Sequence, residues 1–275
     1  MSSPRPGTLH VVATPIGHRD DIGARAIETL RRVKVIAAED TRHTRPLLQH
    51  LGIETPLVAL HDHNERTAVD SLVERMRGGD DIALVSDAGT PLISDPGFRF
   101  VRAARAAGLR VSPVPGPSAV VAALSVAGLP SDRFVFEGFL PAKAGARRAR
   151  LGELAGETRT VIFYESSHRI LESLQDMRDI FGVEREAVVA RELTKMFETV
   201  LDGPLAALVE RVAADPNQQR GEFVVMVAGR EAGEEERLAE GLRVFAILKD
   251  ELPPAKAAKL AAAITGAPRK ALYGA

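Results

Sequence analysis

The chain has 275 residues, a formal net charge of −1 and no cysteine. That length allows a real core and two domains. The charge does not indicate a strongly basic nucleic-acid-binding domain, although a local patch is compatible with it, and disulfides and thiolate-held metals are excluded. Residues 9–14 read as a first buried strand, broken by Pro15 and Gly17. Asp20 or Asp21 is placed to cap the next helix, in which Ile22, Ala26, Leu30 and Val33 make one apolar face. Val35, Ile36 and Ala37 form a short strand that runs into the polar cluster 39–44, Glu-Asp-Thr-Arg-His-Thr. A helix over 44–51 ends at Gly52. Residues 58–60 are strand-like and deliver His61, Asp62, His63, Asn64 and Glu65. The following helix turns Val69, Leu72, Val73 and Met76 inward and ends at Gly78 and Gly79.

The apolar strand 82–85 stops abruptly at Ser86 and Asp87. Gly89 and Pro91 turn the chain, and a second acidic turn, Ser94-Asp95-Pro96-Gly97, opens a helix over 98–107. The strand from Val111 runs into Pro115, Gly116, Pro117 and Ser118. Successive α/β units argue a largely parallel sheet with helices on both faces. Pro115-Gly116-Pro117 sets the boundary between an N-terminal α/β domain, 8–116, and a C-terminal one, 117–231. The second begins with a helix of small apolar residues, 118–127. A strand over 134–139 follows, and then a basic stretch, Lys143, Arg147, Arg148 and Arg150, entering a helix. Strand 160–164 ends at Glu165, Ser166, Ser167, His168 and Arg169. In the next helix Ile170, Leu171, Leu174, Met177, Ile180 and Phe181 face inward. Strand 187–190 continues into Arg191, Glu192, Leu193, Thr194 and Lys195, and 197–201 either extends it or pairs with it. Helix 204–214 starts with proline. Gly221 and Glu222 precede the last strand, 223–228. Residues 232–275 read as a linker, with the acidic run 234–236 as solvated linker or helix start, and a small two-helix appendage over 253–275.

No apolar run reaches membrane-spanning length, and the first residues lack the apolar core of a signal peptide; the cytoplasm is the expected compartment. Aromatics make up 4% of the chain and tryptophan is absent, so stacking falls to a few rings such as Phe139, Tyr164 and Phe197. His61 and His63 would share one face of a strand, with Asp62 and Glu65 able to add oxygen ligands. No third neutral ligand is fixed by spacing, so a polar loop is the commoner reading and no metal is expected. Neither the dinucleotide fingerprint nor the phosphate loop occurs, and nothing resembles a nucleophile elbow around Ser118. What remains is five polar loops at the ends of expected strands: 14–17, 39–44, 61–65, 86–91 and 115–118. Parallel strands would bring them to one rim. Loops 164–169 and 191–195 would face them across a cleft. The plainer reading of 86–97 is a tight strand-to-helix connection with capping aspartates.

The motifs Ala13-Thr14-Pro15-Ile16-Gly17, Glu39-Asp40-Thr41-Arg42-His43-Thr44, the segment 86–97 and Pro115-Gly116-Pro117-Ser118-Ala119 occur in order. They are followed by Gly138-Phe139-Leu140-Pro141, Phe163-Tyr164-Glu165-Ser166, His168-Arg169-Ile170, Arg191-Glu192-Leu193-Thr194-Lys195 and Gly221-Glu222. In this order and spacing the chain resembles, over nearly its whole length, the ribosomal RNA small subunit methyltransferase I family. That family belongs to the tetrapyrrole methylase superfamily of class III S-adenosylmethionine-dependent methyltransferases. The resemblance implies a tetrapyrrole-methylase-like α/β fold, with two α/β domains flanking a cofactor cleft and a small helical C-terminal appendage. It implies methyl transfer from S-adenosylmethionine to the ribose 2'-hydroxyl of a cytidine in the decoding centre of 16S ribosomal RNA. The implied partners are the assembled small ribosomal subunit and a second copy of the chain. Expected cofactor contacts are Ser86, Asp87, Ala88, Gly89, Thr90, Pro91, Ser118, Ala119, Tyr164, Glu165, Leu193, Gly221 and Glu222. Two positions depart from the family: His18-Arg19 stands where Asn-Leu is usual, and Ser167 where proline is usual.

In-line displacement at a sulfonium needs an aligned oxygen, a base within hydrogen-bond reach and a cation for developing oxyanion character. Glu39 is the best single base. His43 could hold ribose or phosphate, and Arg42 and Lys195 are the cationic members of the catalytic set. Asp40, His61, Glu65 and Asp87 are further base or orienting candidates, and Arg191 a further cation. RNA would be held by local basic surface, with Arg19, Arg42 and Arg45 on the rim and Lys143, Arg147, Arg148 and Arg150 extending it. Two rivals stay open: a tetrapyrrole methyltransferase of the same superfamily, and a non-enzymatic ribosome-assembly RNA-binding protein.

Overall fold

The computed structural model describes residues 5–61, 65–231 and 233–272. The chain divides into two compact units: Met1–Ala155 with Thr160–Ala228, and Gly156–Arg159 with Gly229–Ala275.

The first unit contains two five-stranded sheets. The first sheet is formed by β1 (Thr8–Val12), β2 (Val35–Ala38), β3 (Leu57–Ala59), β4 (Ile82–Val85) and β5 (Arg110–Val114), in the order β3-β2-β4-β1-β5. Every pairing in it is parallel. β2 and β4 are apolar at each position and buried throughout, as strands covered on both faces must be. One face packs on α3 (Glu65–Arg77) and α4 (Phe98–Ala106) through Leu72, Met76, Phe100 and Ala104. The other packs on α1 (Ala24–Arg32) and α2 (Thr41–His50) through Ala26, Leu30 and Leu48.

Two helix starts differ from expectation. Asp20 and Asp21 lie in a short 3-10 turn, and Gly23 is the N-cap of α1. α2 begins at Thr41 rather than Thr44, because Asp40 caps it by accepting from the Arg42 backbone N–H at 2.8 Å. Such a cap contributes about 1 kcal/mol. Most of the polar cluster 39–44 is therefore the first turn of a helix, not a loop.

After α5 (Ala119–Ala127) come β6 (Phe134–Phe139), α6 (Ala144–Leu154), β7 (Thr160–Ser166), α7 (Ile170–Phe181), β8 (Glu186–Arg191), β9 (Thr199–Pro204), α8 (Leu205–Ala214) and β10 (Glu222–Val227). The second sheet has the order β6-β7-β10-β8-β9. Only β6 and β7 run parallel; the other pairings are antiparallel. Residues 199–204 are thus a hairpin partner of β8, not its continuation. Leu151, Leu174 and Leu208 from α6, α7 and α8 pack on one face. Val120, Ala123 and Ala127 of α5 cover the other.

The second unit is helical: α9 (Glu234–Leu248), α10 (Pro254–Thr265) and α11 (Arg269–Leu272). The two helices expected over 253–275 are α10 and α11, and the acidic run 234–236 is a helix start, that of α9, rather than a linker. Phe245, Ala257, Ala258, Ala261 and Leu272 make its core. Among the described residues no helix is long and apolar enough to cross a membrane.

The basic run on α6 is not a free cationic face. Arg147 is only 3% exposed, and its Nε donates to Asp176 Oδ2 at 2.7 Å. Arg148 pairs with Asp176 at 2.6 Å, and Arg150 with Glu137 at 2.6 Å. Removing one partner of a buried pair strands the other charge. Asp176→Ala is expected to lower the unfolding free energy by about 3–5 kcal/mol in urea titration. Arg150→Ala, at a half-exposed pair, should cost less than about 1 kcal/mol.

Candidate functional site

The carboxyl ends of the first sheet are tied together by the polar loops that follow them. Thr14 and Gly89 exchange two backbone hydrogen bonds, at 2.9 and 3.1 Å, which join the loops after β1 and β4. Gly89 has φ +78°, a conformation that costs glycine nothing. Ser86 is buried; its hydroxyl donates to the Ala88 carbonyl at 3.2 Å, and its own carbonyl accepts from Thr14 Oγ1 at 3.4 Å. Thr90 Oγ1 donates to the Pro117 carbonyl at 2.9 Å, which adds the loop after β5. The Asp40 N–H donates to Asp87 Oδ1 at 3.1 Å, and the Asp87 N–H points at Glu39 Oε2 at 3.5 Å. Asp40 therefore both starts α2 and anchors it to the β4 loop.

The second sheet supplies the opposite wall. The Glu192 N–H donates to the Glu222 carbonyl at 2.9 Å, and Glu192 Oε1 accepts from the Glu222 N–H at 2.9 Å. Lys195 Nζ bridges Glu192 Oε1 at 2.8 Å and Glu222 Oε2 at 2.6 Å. Burial alone would raise Glu192 and lower Lys195, but these bonds outweigh it: Glu192 ends below the usual carboxylate range and Lys195 above the usual amine value. The two walls meet where Gly17 passes the 193–195 segment. The His18 N–H donates to Thr194 Oγ1 at 3.0 Å. A Cβ on Gly17 would lie 2.6 Å from both Lys195 Cγ and Thr194 Oγ1. The unusual His18 thus joins the seam through its backbone, while its ring caps the turn that follows.

Between the walls lies a cavity of about 520 Å³. Glu39, Asp87, Ala88 and Thr90 line it from the first sheet, together with Ile16, Ile93, Ser94 and Asp95. Ala119, Tyr164, Glu165, Leu193, Lys195, Gly221 and Glu222 line it from the other side. Ser86, Gly89, Pro91 and Ser118 do not line it; the first two brace the loop from behind. Arg42 and His43 also lie outside the lining, exposed on the first turn of α2, and Arg42 pairs with Asp40 at 2.8 Å. Glu165 is buried, and its carboxylate accepts from Ser173 Oγ at 2.6 Å, the Ser166 N–H at 2.8 Å and Arg169 at 2.9 Å. That carboxylate holds the turn after β7. Arg191 is buried as well and donates to the carbonyls of Arg220 and Phe197 at 2.6 and 2.9 Å. It is a brace for the β8 turn rather than an available cation, and Glu192 pairs with Lys195. Of the loop after β3, Asp62, His63 and Asn64 lie outside the described residues. Among the described residues no His/Asp/Glu group is clustered to hold a metal.

Asp95 is the site residue that sequence reading passed over, because Ser-Asp-Pro-Gly reads as a capped turn. Burial pushes its carboxyl up to about 6, and the nearby Glu39 and Asp87 carboxylates add to this, against a hydrogen bond from Ser86. Burial also pushes Tyr164 up to about 12, with Asp95 contributing.

The profile of the Tetrapyrrole (Corrin/Porphyrin) Methylases matches residues 8–209, and that of the RsmI C-terminal HTH domain matches residues 235–275. The structure of a cobalt precorrin-4 methyltransferase is similar with a TM-score of 0.60 at 17% identity, over 80% of this chain and 94% of that one. A uroporphyrin-III C-methyl transferase from Thermus thermophilus, complexed with S-adenyl homocysteine, is similar with a TM-score of 0.56 at 15% identity, over 81% and 97%. These likenesses define the fold class. At the level of sequence, the ribosomal RNA small subunit methyltransferase I of Xylella fastidiosa (strain Temecula1 / ATCC 700964) is 65% identical over 269 residues, 98% of each chain. The chain belongs to the tetrapyrrole methylases and, within them, to the ribosomal RNA small subunit methyltransferase I family.

The raised Asp95 carboxyl has a signed consequence for stability. Between its ordinary value of 3.8 and about 6 the native chain binds more protons than the unfolded one, so this group lowers stability as pH rises through that window. Asp95→Asn is expected to be more stable than the parent at neutral pH by about 1 kcal/mol, the linkage value being reduced by solvent screening. That difference should vanish near pH 4, as read by urea unfolding at both pH values.

Proposed function

We propose that this chain transfers a methyl group from S-adenosylmethionine to the ribose 2'-hydroxyl of a cytidine in 16S ribosomal RNA, acting on the small ribosomal subunit in the bacterial cytoplasm. The observation that carries the reading is the end-to-end identity with ribosomal RNA small subunit methyltransferase I relatives. The segments that bear the family motifs also line or brace the cavity between the sheets.

The cavity suits the cofactor. Its volume lies within the range of small-molecule sites. Ile16, Ile93 and Leu193 offer apolar walls, and Glu39, Asp87 and Asp95 set acceptors against a ligand carrying sulfonium and ammonium charge. The cofactor supplies an electrophilic methyl group, so the chain's own task is to orient the ribose oxygen and remove its proton. Glu39 is our choice of base, since it lines the cavity beside the Asp87 backbone N–H. Lys195 lines the same cavity at its far wall, held by two carboxylates. Arg42 and His43, outside the lining on the first turn of α2, suit the RNA that lies beyond the reacting sugar. Residues 8–116 and 117–231 act as the two halves of the cleft, with 232–275 as an appendage. A second copy of the chain would cover Val121 and Val126, apolar side chains that α5 leaves exposed.

The test is transfer of tritium from labelled S-adenosylmethionine to purified small subunits, with naked 16S RNA and a tetrapyrrole as parallel substrates. Label mapping to a ribose of the subunit RNA is the expected result; label appearing only in the tetrapyrrole would overturn it. Glu39→Gln should lower turnover by about 100-fold or more while leaving cofactor affinity nearly unchanged. Wild-type turnover in that variant would remove Glu39 as the base.

A further inference from the structure

Three aromatic rings line the cavity: Tyr164, Phe223 and Phe139. Phe223 is buried and Tyr164 half-buried, but Phe139 is 55% exposed. Its position results from an irregularity in β6. Val135 pairs with Val161 and Phe136 with Ile162; the register then shifts, so that Gly138 pairs with Phe163 and Phe139 with Tyr164. In a regular strand residues three apart point to opposite faces. Here the extra residue turns both Phe136 and Phe139 onto Tyr164, with ring centroids 5.0 and 5.6 Å away, both edge to face. Gly138 makes this possible with φ +69°, and a Cβ there would lie 2.9 Å from Ser94 Oγ. Bulges of this kind re-aim a side chain beside a site. This one leaves an apolar ring open to solvent at the cavity wall.

We propose that the exposed ring of Phe139 receives an unstacked nucleobase of the RNA substrate and thereby positions the target ribose over the carboxylate wall. The proposal rests on the function given above and adds the group that holds the nucleoside. A ribose hydroxyl buried in a folded RNA reaches a cavity only when its nucleotide is splayed out, and splayed bases are held by stacking on aromatic rings. The carboxylates of Glu39, Asp87 and Asp95 make the cavity hostile to phosphate, so its aromatic wall selects the uncharged base. Phe139 is a positioning residue; it takes no part in the proton or methyl transfer.

The test compares Phe139→Ala, Phe139→Leu and Phe139→Trp in the intact chain. It uses tritium transfer to purified small subunits for kcat and KM, and calorimetry for S-adenosylmethionine affinity. The alanine and leucine variants should lose roughly 5- to 100-fold in kcat/KM for the subunit, the range for one base stack. Their cofactor affinity should stay within about twofold, and the tryptophan variant should recover to within about threefold of the parent. A leucine variant as efficient as the parent would mean that the ring is merely apolar packing and would overturn the proposal. A cofactor affinity that falls by the same factor as kcat/KM would assign the ring to the cofactor and overturn it as well. An inactive parent chain would instead sink the function itself, and the parent arm reads that separately.

Discussion

The cavity depends on one close backbone approach between segments of different sheets. Gly17 follows β1, and Leu193, Thr194 and Lys195 follow β8. The positions a Cβ on Gly17 would take are already filled by Thr194 and Lys195, and the adjacent His18 N–H closes the contact on the Thr194 hydroxyl. Once that seam is made, the loops after the first sheet face the turns of the second. Glu192 then lies against Gly221, where a Cβ would approach its carboxylate oxygen Oε1 to 2.6 Å. Lys195 spans Glu192 and Glu222. The seam brings Lys195 into the cavity wall and spends its charge there.

Backbone strain is concentrated around the same space. Leu92, Ser94, Glu192 and Thr194 are the four described non-glycine residues with positive φ, between 51° and 74°. They form two pairs, each straddling one apolar residue, Ile93 and Leu193, and both of these line the cavity. Such conformations cost about 1–3 kcal/mol apiece and persist only where the surroundings over-determine them. At Glu192 and Thr194 the restraints are explicit: one N–H is held by the Glu222 carbonyl, the other by Glu198 Oε2 at 2.6 Å. The fold thus flanks an apolar side chain with left-handed residues twice, once in the loop after β4 and once in the turn after β8, and both side chains line the cavity.

Much of this was legible in the sequence, and the misses have physical causes. The parallel strands of the first sheet announce themselves as short apolar runs ending in polar turns, since both faces are buried. The antiparallel pairing of β7, β10, β8 and β9 leaves no such trace, because strand direction is decided by tertiary connections and not by periodicity. The sequence pattern places the start of α2 three residues late because Asp40 does two things at once, capping the helix and binding Asp87 through its N–H. With Glu153, beside Arg150, as the local exception, the α6 arginines read as a basic surface because their acidic partners on β6 and α7 lie 13 or more residues away in the chain. Nothing in the local pattern announces those pairs. The sequence marks the motif loops 14–17, 86–91 and 115–118 as segments, but which side chains face the cavity and which brace it from behind depends on bonds between loops, as Ser86 and Glu165 demonstrate.

The distribution of charge sets how a nearly neutral chain can act on a polyanion. Near the cavity the cations are largely committed: Lys195 to two carboxylates, Arg169 to Glu165 and Arg191 to two carbonyls; the α6 arginines are likewise committed, to acids on α7 and β6. Arg42 is outward-facing but shares its charge with Asp40. Phosphate neutralisation alone is therefore a weak basis for affinity at the cavity, since each committed cation would have to give up a partner before it could release counterions from RNA. Shape and stacking carry no such cost. A cavity lined by carboxylates from both walls and by the open ring of Phe139 suits sugar and base better than phosphate. On the proposed reading the polyanion stays outside while a single nucleoside enters, and the acids that repel the backbone face the hydroxyl and the cofactor.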